Sequence, residues 1–559
     1  MKKITLGIAL CGLLYGCSSK QTASEGNNTA TTDKNQTETG NSATAATFDE
    51  LHRPQFHFTP PTGWMNDPNG MVYHNGEYHL FYQHNPDSTV WGPMHWGHAV
   101  SKDLVKWEHL PIALYPDSLG TIFSGSAVID KNNTSGLGTK DNPAMIAIYT
   151  YHNVEGEKAG RDDYQTQGIA YSLDNGRTWT KYKANPVLKN PGIKDFRDPK
   201  VSWYEQGQKW IMTLAVKDRI SFYSSKNLLN WTKESDFGSD IGGHGGVWEC
   251  PDLIKMPVAD TNEEKWVLIV NINPGAPNGG SGTQYFVGQF DGKNFVLDNN
   301  FKAQLTGQAN TPGSVKKGEG IWLDYGMDNY AGITWANVPE SDDRHLFIGW
   351  MSNWKYANVV PTEKWRSATT VARTLTLENT SSGFRVASQP VKELQNIYGT
   401  THQIPAQTVS GTLDISEKLK LNTPTYEANL NLETGGEAGF AVELSNTKNQ
   451  RLLIGYDAAS KRYYIDRTQA GPSEYSKDFA GIHYAPRIAT GAKFPIKLLV
   501  DVASVELFAD GGKTVMTDIF FPDEKFTKLK LISNNGEVKL TGGNFTELKS
   551  IWNQENKSL

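Results

Sequence analysis

Three short segments set a carboxylate among groups able to change its proton affinity. Trp64-Met65-Asn66-Asp67-Pro68-Asn69-Gly70 holds an aspartate between an amide side chain and a proline that fixes the backbone. Phe196-Arg197-Asp198-Pro199 sets a second beside a permanent cation, and Trp248-Glu249-Cys250-Pro251-Asp252 sets a glutamate beside an indole and a thiol. Carboxyls in unlike surroundings have their pKa values driven apart, so one can stay ionised as a nucleophile while another holds a proton as an acid. Cleavage of a glycosidic bond through an oxocarbenium-like transition state uses that division of labour, without a metal. Taken singly, an aspartate before proline reads as a turn residue accepting backbone hydrogen bonds. Three such segments, each beside an aromatic residue, favour carbohydrate hydrolysis.

Other chemistries are less well supported. His74, His79, His84, His95 and His98 are dense, yet no His-Glu-x-x-His or similar paired ligand spacing is present, and no metal is expected. Cys250 has no His and Asn constellation to make it a nucleophile; its expected effect is on the polarity around Glu249. Gly242-Gly243-His244-Gly245-Gly246 lacks the Lys-Ser and helix of a phosphate loop and reads as a flexible approach to Glu249.

The elements that position these groups read as repeated β units. Ser101-Lys102-Asp103-Leu104-Val105-Lys106-Trp107, Ser172-Leu173-Asp174-Asn175-Gly176-Arg177-Thr178-Trp179 and Ser225-Lys226-Asn227-Leu228-Leu229-Asn230-Trp231 share a turn motif, each after a run of strands. Val72 to Tyr82 is a hairpin about Asn75-Gly76, and Val201 to Met212 another around Gly207. The period is that of four-stranded propeller blades, and the innermost strands of such blades converge on an axis. Units starting near Trp64, Phe123, Phe196, Trp248 and Trp322 make five, and the carboxylate segments fall at blade starts. A two-sheet sandwich is the alternative for this stretch, though sandwiches seldom repeat a turn motif at this period. Beyond about Leu377 the pattern changes. Tyr426 to Glu433 alternates strictly, Leu452 to Ile465 reads as two strands, and Val505 to Phe508 runs into the Asp510-Gly511-Gly512 turn, which predicts an antiparallel sandwich. The expected division is 48–380 for a five-bladed propeller and 390–555 for the sandwich, an all-β chain.

Composition agrees. The 559 residues are 38% hydrophobic and 20% charged with net charge -6, an ordinary globular balance that does not point to nucleic acid. Gly 53, Trp 16, Tyr 23 and Phe 22 suit turn-rich β structure and stacking on flat ligand faces. The N-terminus reads as targeting: Met1-Lys2-Lys3, an apolar run from Ile4 to Leu14, then Leu14-Tyr15-Gly16-Cys17, which resembles a bacterial lipobox. Residues 1–17 are the expected signal, Cys17 the lipidated residue, and 18–47 a flexible tether of Ser, Thr, Asn, Gly and Lys. Plain secretion is the alternative. Cys11 would leave with the signal, so of 3 cysteines only Cys250 belongs to the folded body and no intrachain disulfide forms. The expectation is a lipid anchor in the outer membrane of a Gram-negative bacterium. Ser18-Ser19-Lys20-Gln21 carries no acidic cluster, which favours the periplasmic face over the cell surface.

The segments WMNDPNG (64–70), Phe81-Tyr82-Gln83-His84-Asn85-Pro86, Phe123-Ser124-Gly125-Ser126, Phe196 to Pro199, Trp248 to Pro251, Asp324 to Ala331 and Gly349 to Trp354 together resemble glycoside hydrolase family 32, the invertases, inulinases and levanases. That resemblance spans essentially the whole mature chain and implies a five-bladed propeller followed by a β-sandwich. It implies Asp67 as nucleophile and Glu249 as the acid and then base, with fructose released in retained configuration. Asp198 is implied to accept hydrogen bonds from the ring hydroxyls, with Arg197 keeping it ionised. Asn66, Gln83, Trp91, Phe123, Ser124 and Arg197 are implied substrate contacts, and Trp64 and Trp350 are expected pocket walls. No cofactor is implied. The implied substrate is a fructan or fructo-oligosaccharide, with sucrose, β-2,1 and β-2,6 linkages and the oligomeric state left open. An endo-acting levanase or inulinase, and a non-catalytic fructan-binding lipoprotein, are the rivals. The sandwich is expected to be structural.

Overall fold

A computed structural model describes residues 46–306 and 319–552. The expected signal, Cys17 and nearly all of the expected tether lie outside the described residues. Five antiparallel sheets follow one another along the chain from Gly63 to Pro390, and their first strands are Gly63–His74, Thr121–Ile129, Phe196–Tyr204, Val247–Pro257 and Tyr330–Thr334. These are the five blades of a β-propeller. The ring closes where Trp365–Arg366 adds in parallel to the first inner strand, with Gly63 opposite Trp365 and Trp64 opposite Arg366. A second parallel bridge, Val72 to Ala336, ties the far end of that strand to the fifth blade.

The repeated turn motif joins the third and fourth strands of the first three blades. In each, a side-chain oxygen caps the turn: Asp103 Oδ1 accepts from Lys106 N at 2.8 Å, Asp174 Oδ1 from Thr178 N at 2.9 Å, and Asn227 Oδ1 from Asn230 N at 3.0 Å. The closing tryptophan then folds back, as when Trp231 Nε1 donates to Leu228 O at 3.0 Å. Short polar side chains that mimic a backbone turn explain why this spacing recurs. The fifth blade departs from the expected start at Trp322. That residue makes only an isolated bridge to Gln284, and the sheet begins at Tyr330. Its outermost strand, Gly383–Pro390, lies beyond the expected boundary at 380.

The rest of the chain forms two sheets of seven and six strands packed as a sandwich. In Tyr426–Thr434 the alternate residues Tyr426, Ala428, Leu430 and Leu432 are all buried, and Glu427 between them is buried as well. The expected pair of strands appears as Arg451–Asp457 and Arg462–Gln469, and Ser504–Ala509 turns through Asp510-Gly511-Gly512 into Thr514–Ile519. Tyr463 is buried, with its hydroxyl donating to Asp510 Oδ1 at 2.8 Å, so it serves strand packing.

Sandwich and propeller share buried charges. Arg373, wholly buried, donates to Asp324 Oδ2 at 3.0 Å and to Glu506, and the other face of Glu506 takes His57 Nε2 at 2.8 Å. Arg467 donates to Asp328 Oδ2 at 2.8 Å, and Ile519 N to the same oxygen at 3.0 Å. Asp324 and Asp328, from the segment read as a family motif, thus bind the sandwich to the propeller, while Tyr330 of the same segment reaches the axis.

Candidate active site

Every inner strand carries a register shift near its first residues. The breaks fall between Met65 and Pro68, Ile122 and Gly125, Arg197 and Lys200 (opposite Ala215 and Thr213), Glu249 and Asp252, and Tyr330 and Ile333. A bulge adds an unpaired residue and re-aims its side chain, and proline is tolerated in a strand there because no ladder donor is needed. Pro68, Pro199 and Pro251 occupy three of these positions. Asp198 (φ 62°) and Cys250 (φ 41°) sit in the left-handed region, a backbone strain of about 1–3 kcal/mol each held by the surrounding strands. Five bulges in register around one axis turn Asp67, Ser124, Asp198, Glu249 and Tyr330 toward the same end of the propeller.

There they meet a cavity of about 280 Å³, lined by Asp67, Asp198 and Glu249 together with Asn66, Gln83, Trp91, Phe123, Ser124 and Arg197. Asp67 accepts from Asn66 Nδ2 at 2.9 Å and from Ser124 Oγ at 2.7 Å. Asn66 is itself oriented by Trp64, whose indole N–H donates to Asn66 Oδ1 at 2.7 Å. Asp198 Oδ2 accepts from Cys250 N at 3.1 Å. Glu249 is held from both sides: Arg197 Nη2 donates to Oε1 at 2.7 Å, and the Tyr330 hydroxyl donates to Oε2. Gln83 Nε2 is buried without a partner, a donor facing the cavity with no acceptor inside the protein.

Burial pushes the Asp67 carboxyl above its ordinary range, reinforced by the charge of Glu249 and opposed by the bonds from Ser124 and Asn66. Burial likewise pushes Asp198 up to about 7; Arg197 opposes this, and Glu249 and Asp67 add to it. The expected role of Arg197 therefore needs correction. It stands 4.0 Å from Asp198 but 2.7 Å from Glu249 and 2.8 Å from Asp195. Its hydrogen bonds go to those two; its charge also opposes the rise of Asp198, but burial outweighs it, so Asp198 is not held in the usual carboxylate range. Burial works against the guanidinium, yet Glu249, Asp198 and Asp195 keep it charged. Burial, then the charge of Glu249, pushes the Tyr330 phenol up, so it remains a donor.

Two further expectations change. Trp64 and Trp350 are fully buried and do not line the cavity; Trp354 does. Trp350 packs behind Trp354 at 4.9 Å between ring centroids, a buttress rather than a wall. Cys250 was read as tuning Glu249, but its thiol faces Asp67 Oδ2 at 3.5 Å and Asp198 Oδ2 at 3.6 Å. Burial, with Asp198, Asp67 and Glu249 around it, pushes that thiol well up, so it stays neutral. Sequence reasoning also missed Gln165, Asp195, His152 and Tyr164, all on the cavity wall. Asp195 lies within two residues of Arg197, and that proximity was the one signal available. The histidine group is structural: His84 Nδ1 pairs with Trp64 O at 2.8 Å, His79 pairs with His98 at 3.0 Å, and burial pushes His79 and His84 down to about 3 and 4.

A small polar cavity at one end of a five-bladed propeller, with an amide- and hydroxyl-bound carboxylate facing a cation-bound one, defines a glycoside hydrolase. Residues 57–390 match the N-terminal domain of glycosyl hydrolases family 32 and residues 393–549 its C-terminal domain. The chain belongs to that family. It is 48% identical to a levanase of Bacillus subtilis over 91% of this chain and 72% of the relative. It is 37% identical to an extracellular exo-inulinase of Aspergillus awamori over 91% and 97% of the two chains. Among solved structures it resembles that Aspergillus awamori exo-inulinase with a TM-score of 0.81 at 36% identity, covering 90% of this chain and 100% of the other. A Schwanniomyces occidentalis fructofuranosidase variant complexed with fructosylnystose follows with a TM-score of 0.79 at 32% identity, covering 90% and 99%.

Proposed function

We propose that this chain is a retaining β-fructosidase that removes terminal fructose from fructans. The observation that carries the reading is the pair Asp67 and Glu249 on the wall of one cavity, Asp67 held by Ser124 and Asn66 and Glu249 by Arg197 and Tyr330. Asp67 attacks the anomeric carbon as the bond to the leaving oxygen breaks, and the Glu249 carboxyl gives that oxygen its proton. Arg197 and Tyr330 then stabilise the Glu249 carboxylate. In the second half Glu249 takes a proton from water, the water oxygen attacks the same carbon, and Asp67 leaves. Asp198 accepts hydrogen bonds from ring hydroxyls, contacts that strengthen as positive charge grows on the ring.

The names of the relatives, levanase and exo-inulinase, support fructan as the substrate class, and the second of them supports action at a chain end. The test is a product time course with purified full-length protein on levan, inulin and sucrose. Fructose alone from the earliest points is expected, and a ladder of oligosaccharides would replace this reading with endo action. Asp67→Asn and Glu249→Ala should each abolish nearly all release; near-normal turnover in either would overturn the role assignments.

We also propose that Cys17 carries the lipid that tethers the enzyme to an outer membrane, on the lipobox resemblance of Leu14 to Cys17. Palmitate labelling of the wild type with loss of label and release to the soluble fraction in Cys17→Ser is the expected result. Release of an unlabelled wild type would point to plain secretion.

A further inference from the structure

The inner strands that carry the active site at their beginnings end in a second, larger cavity. It measures about 500 Å³ and is lined by the far halves of the same strands, including Val128, Ser202, Trp203, Leu253 and Thr334. Asp198 on the wall of the first cavity and Lys200 on the wall of the second lie two residues apart on one strand, so the two walls approach to roughly 7 Å at about 3.3 Å per residue. Between them stands a polar septum. Lys200 Nζ donates to Asp252 Oδ2 at 3.0 Å and to Thr334 O at 2.5 Å, and Thr334 Oγ1 donates to Asp252 Oδ2 at 2.7 Å. The axis is therefore closed in the middle and open to two independent sites.

The chemistry of the second cavity is that of a sugar site. Trp203 and Trp266 are half-buried on its wall, with Trp210 set edge-on to Trp203 at 5.0 Å. Indole faces exposed at a concave surface suit the apolar C–H face of a sugar ring, while polar groups around them take its hydroxyls. Lys131 and Asn132 at the exposed rim supply such groups. Asp252, wholly buried and on the cavity wall, leaves its Oδ1 without a hydrogen-bond partner, although its other oxygen has three. An orphaned carboxylate oxygen in a buried setting calls for a donor from outside the protein, and a sugar hydroxyl is one.

We propose that this far-side cavity is a second, non-catalytic binding site for a short run of fructosyl units, stacked on Trp203 and Trp266 with Asp252 accepting a hydroxyl. The proposal rests on the β-fructosidase reading for the identity of the sugar. A polymer held at two separate points of one molecule gains effective concentration at the catalytic end without any new contact there. The site would retain the enzyme on long chains and leave short substrates unaffected.

The experiment is a calorimetric titration of full-length Glu249→Gln protein with a fructo-tetrasaccharide, beside the kinetics of Trp203→Ala in the active enzyme. Two sites per chain are expected, and Trp203→Ala in the inactive background should weaken one of them about tenfold or more while sparing the other. In the active enzyme Trp203→Ala should raise KM for high-molecular-weight fructan about fivefold, with kcat and the KM for a trisaccharide unchanged. A single site in the titration overturns the proposal, as does a Trp203→Ala variant whose second site and polymer KM match the wild type. Should Trp203→Ala fail to fold, Lys131→Ala on the exposed rim replaces it, and the stoichiometry of the Glu249→Gln protein decides without either. Failure of the fructosidase reading is separately visible, as wild-type protein that releases no fructose from any substrate.

Discussion

Replacing Ser124 by alanine isolates one term in the acidity of Asp67. The Ser124 hydroxyl donates to Asp67 Oδ2 at 2.7 Å and is among the groups that pull the carboxyl down against burial and the charge of Glu249. A hydrogen bond to a charged acceptor is worth about 1.5–3 kcal/mol, and about 1.4 kcal/mol corresponds to one pKa unit. Loss of the bond should therefore raise Asp67 by about 1–2 units, toward the lower end because Asn66 Nδ2 stays at 2.9 Å and water can enter the vacated space. In its proposed role Asp67 must be ionised to attack. The acid limb of kcat/KM against pH should accordingly move up by about one unit, a tenfold loss at a pH on that limb and a smaller one on the plateau. The assay is initial-rate kinetics on a fructo-trisaccharide from about pH 4 to 8. The limb reports the carboxyl cluster as a whole, so the comparison between variant and wild type is the informative quantity. An acid limb that stays in place while the plateau falls uniformly would refute the reasoning, since Ser124 would then be acting on the sugar and not on Asp67.

Asp198→Asn should stabilise the fold while destroying activity. The carboxyl stands at about 7 in the folded state against a reference of 3.8, so the folded protein binds its proton more tightly than the unfolded chain. The penalty is present above about pH 7 and vanishes as pH falls toward 4; thermal melts should show a gain on the order of 2–4 kcal/mol at pH 8 and almost none at pH 4. His57 behaves in the opposite sense. Burial alone would push its imidazole down, but Asp501 and Glu506, each at 2.8 Å, outweigh this and hold it up at about 9. Its stabilisation is complete below about pH 6.5 and lost as pH rises through 9, so the difference in melting temperature between wild type and His57→Gln should shrink over that window. A constant difference across it would mean that His57 contributes only packing. Cys250, neutral and buried, should resist iodoacetamide at pH 8; rapid inactivation that Cys250→Ser abolishes would show a thiolate instead.

The propeller was legible in the sequence because its signals are local. An Asp or Asn capping a turn and a tryptophan a few residues on recur where the third strand hands over to the fourth in the first three blades, as at Asp103, Asp174 and Asn227. The fourth and fifth blades carry no such motif; the Trp248-Glu249 segment still marks the fourth, while the fifth, expected from Trp322, begins at Tyr330. The three carboxylates were legible because the residues around them are unusual for strands: Pro68, Pro199 and Pro251 mark bulges that a regular ladder would exclude. Whether a tryptophan lines the pocket or braces it was not legible. Trp350 and Trp354 stand four residues apart, and only the strand that ends at Met351 decides which one faces the cavity. The pairing of Arg197 with Glu249 rather than its neighbour Asp198 is likewise a matter of geometry between two blades.

The seven residues from Asp324 to Tyr330 join two tasks that are usually kept apart. At one end they bind the sandwich through Thr517, Arg467 and Ile519; at the other, Tyr330 touches Glu249. A propeller cut off after Pro390 would carry Asp324 and Arg373 into water without Thr517 and Glu506, and Asp328 without Arg467, leaving buried charges half answered beside the catalytic strand. The two halves are thus one inheritable unit. A recombination event or a designed graft that exchanges the sandwich must bring matching partners for Asp324, Asp328 and Arg373, or it disturbs Tyr330 and, through it, Glu249.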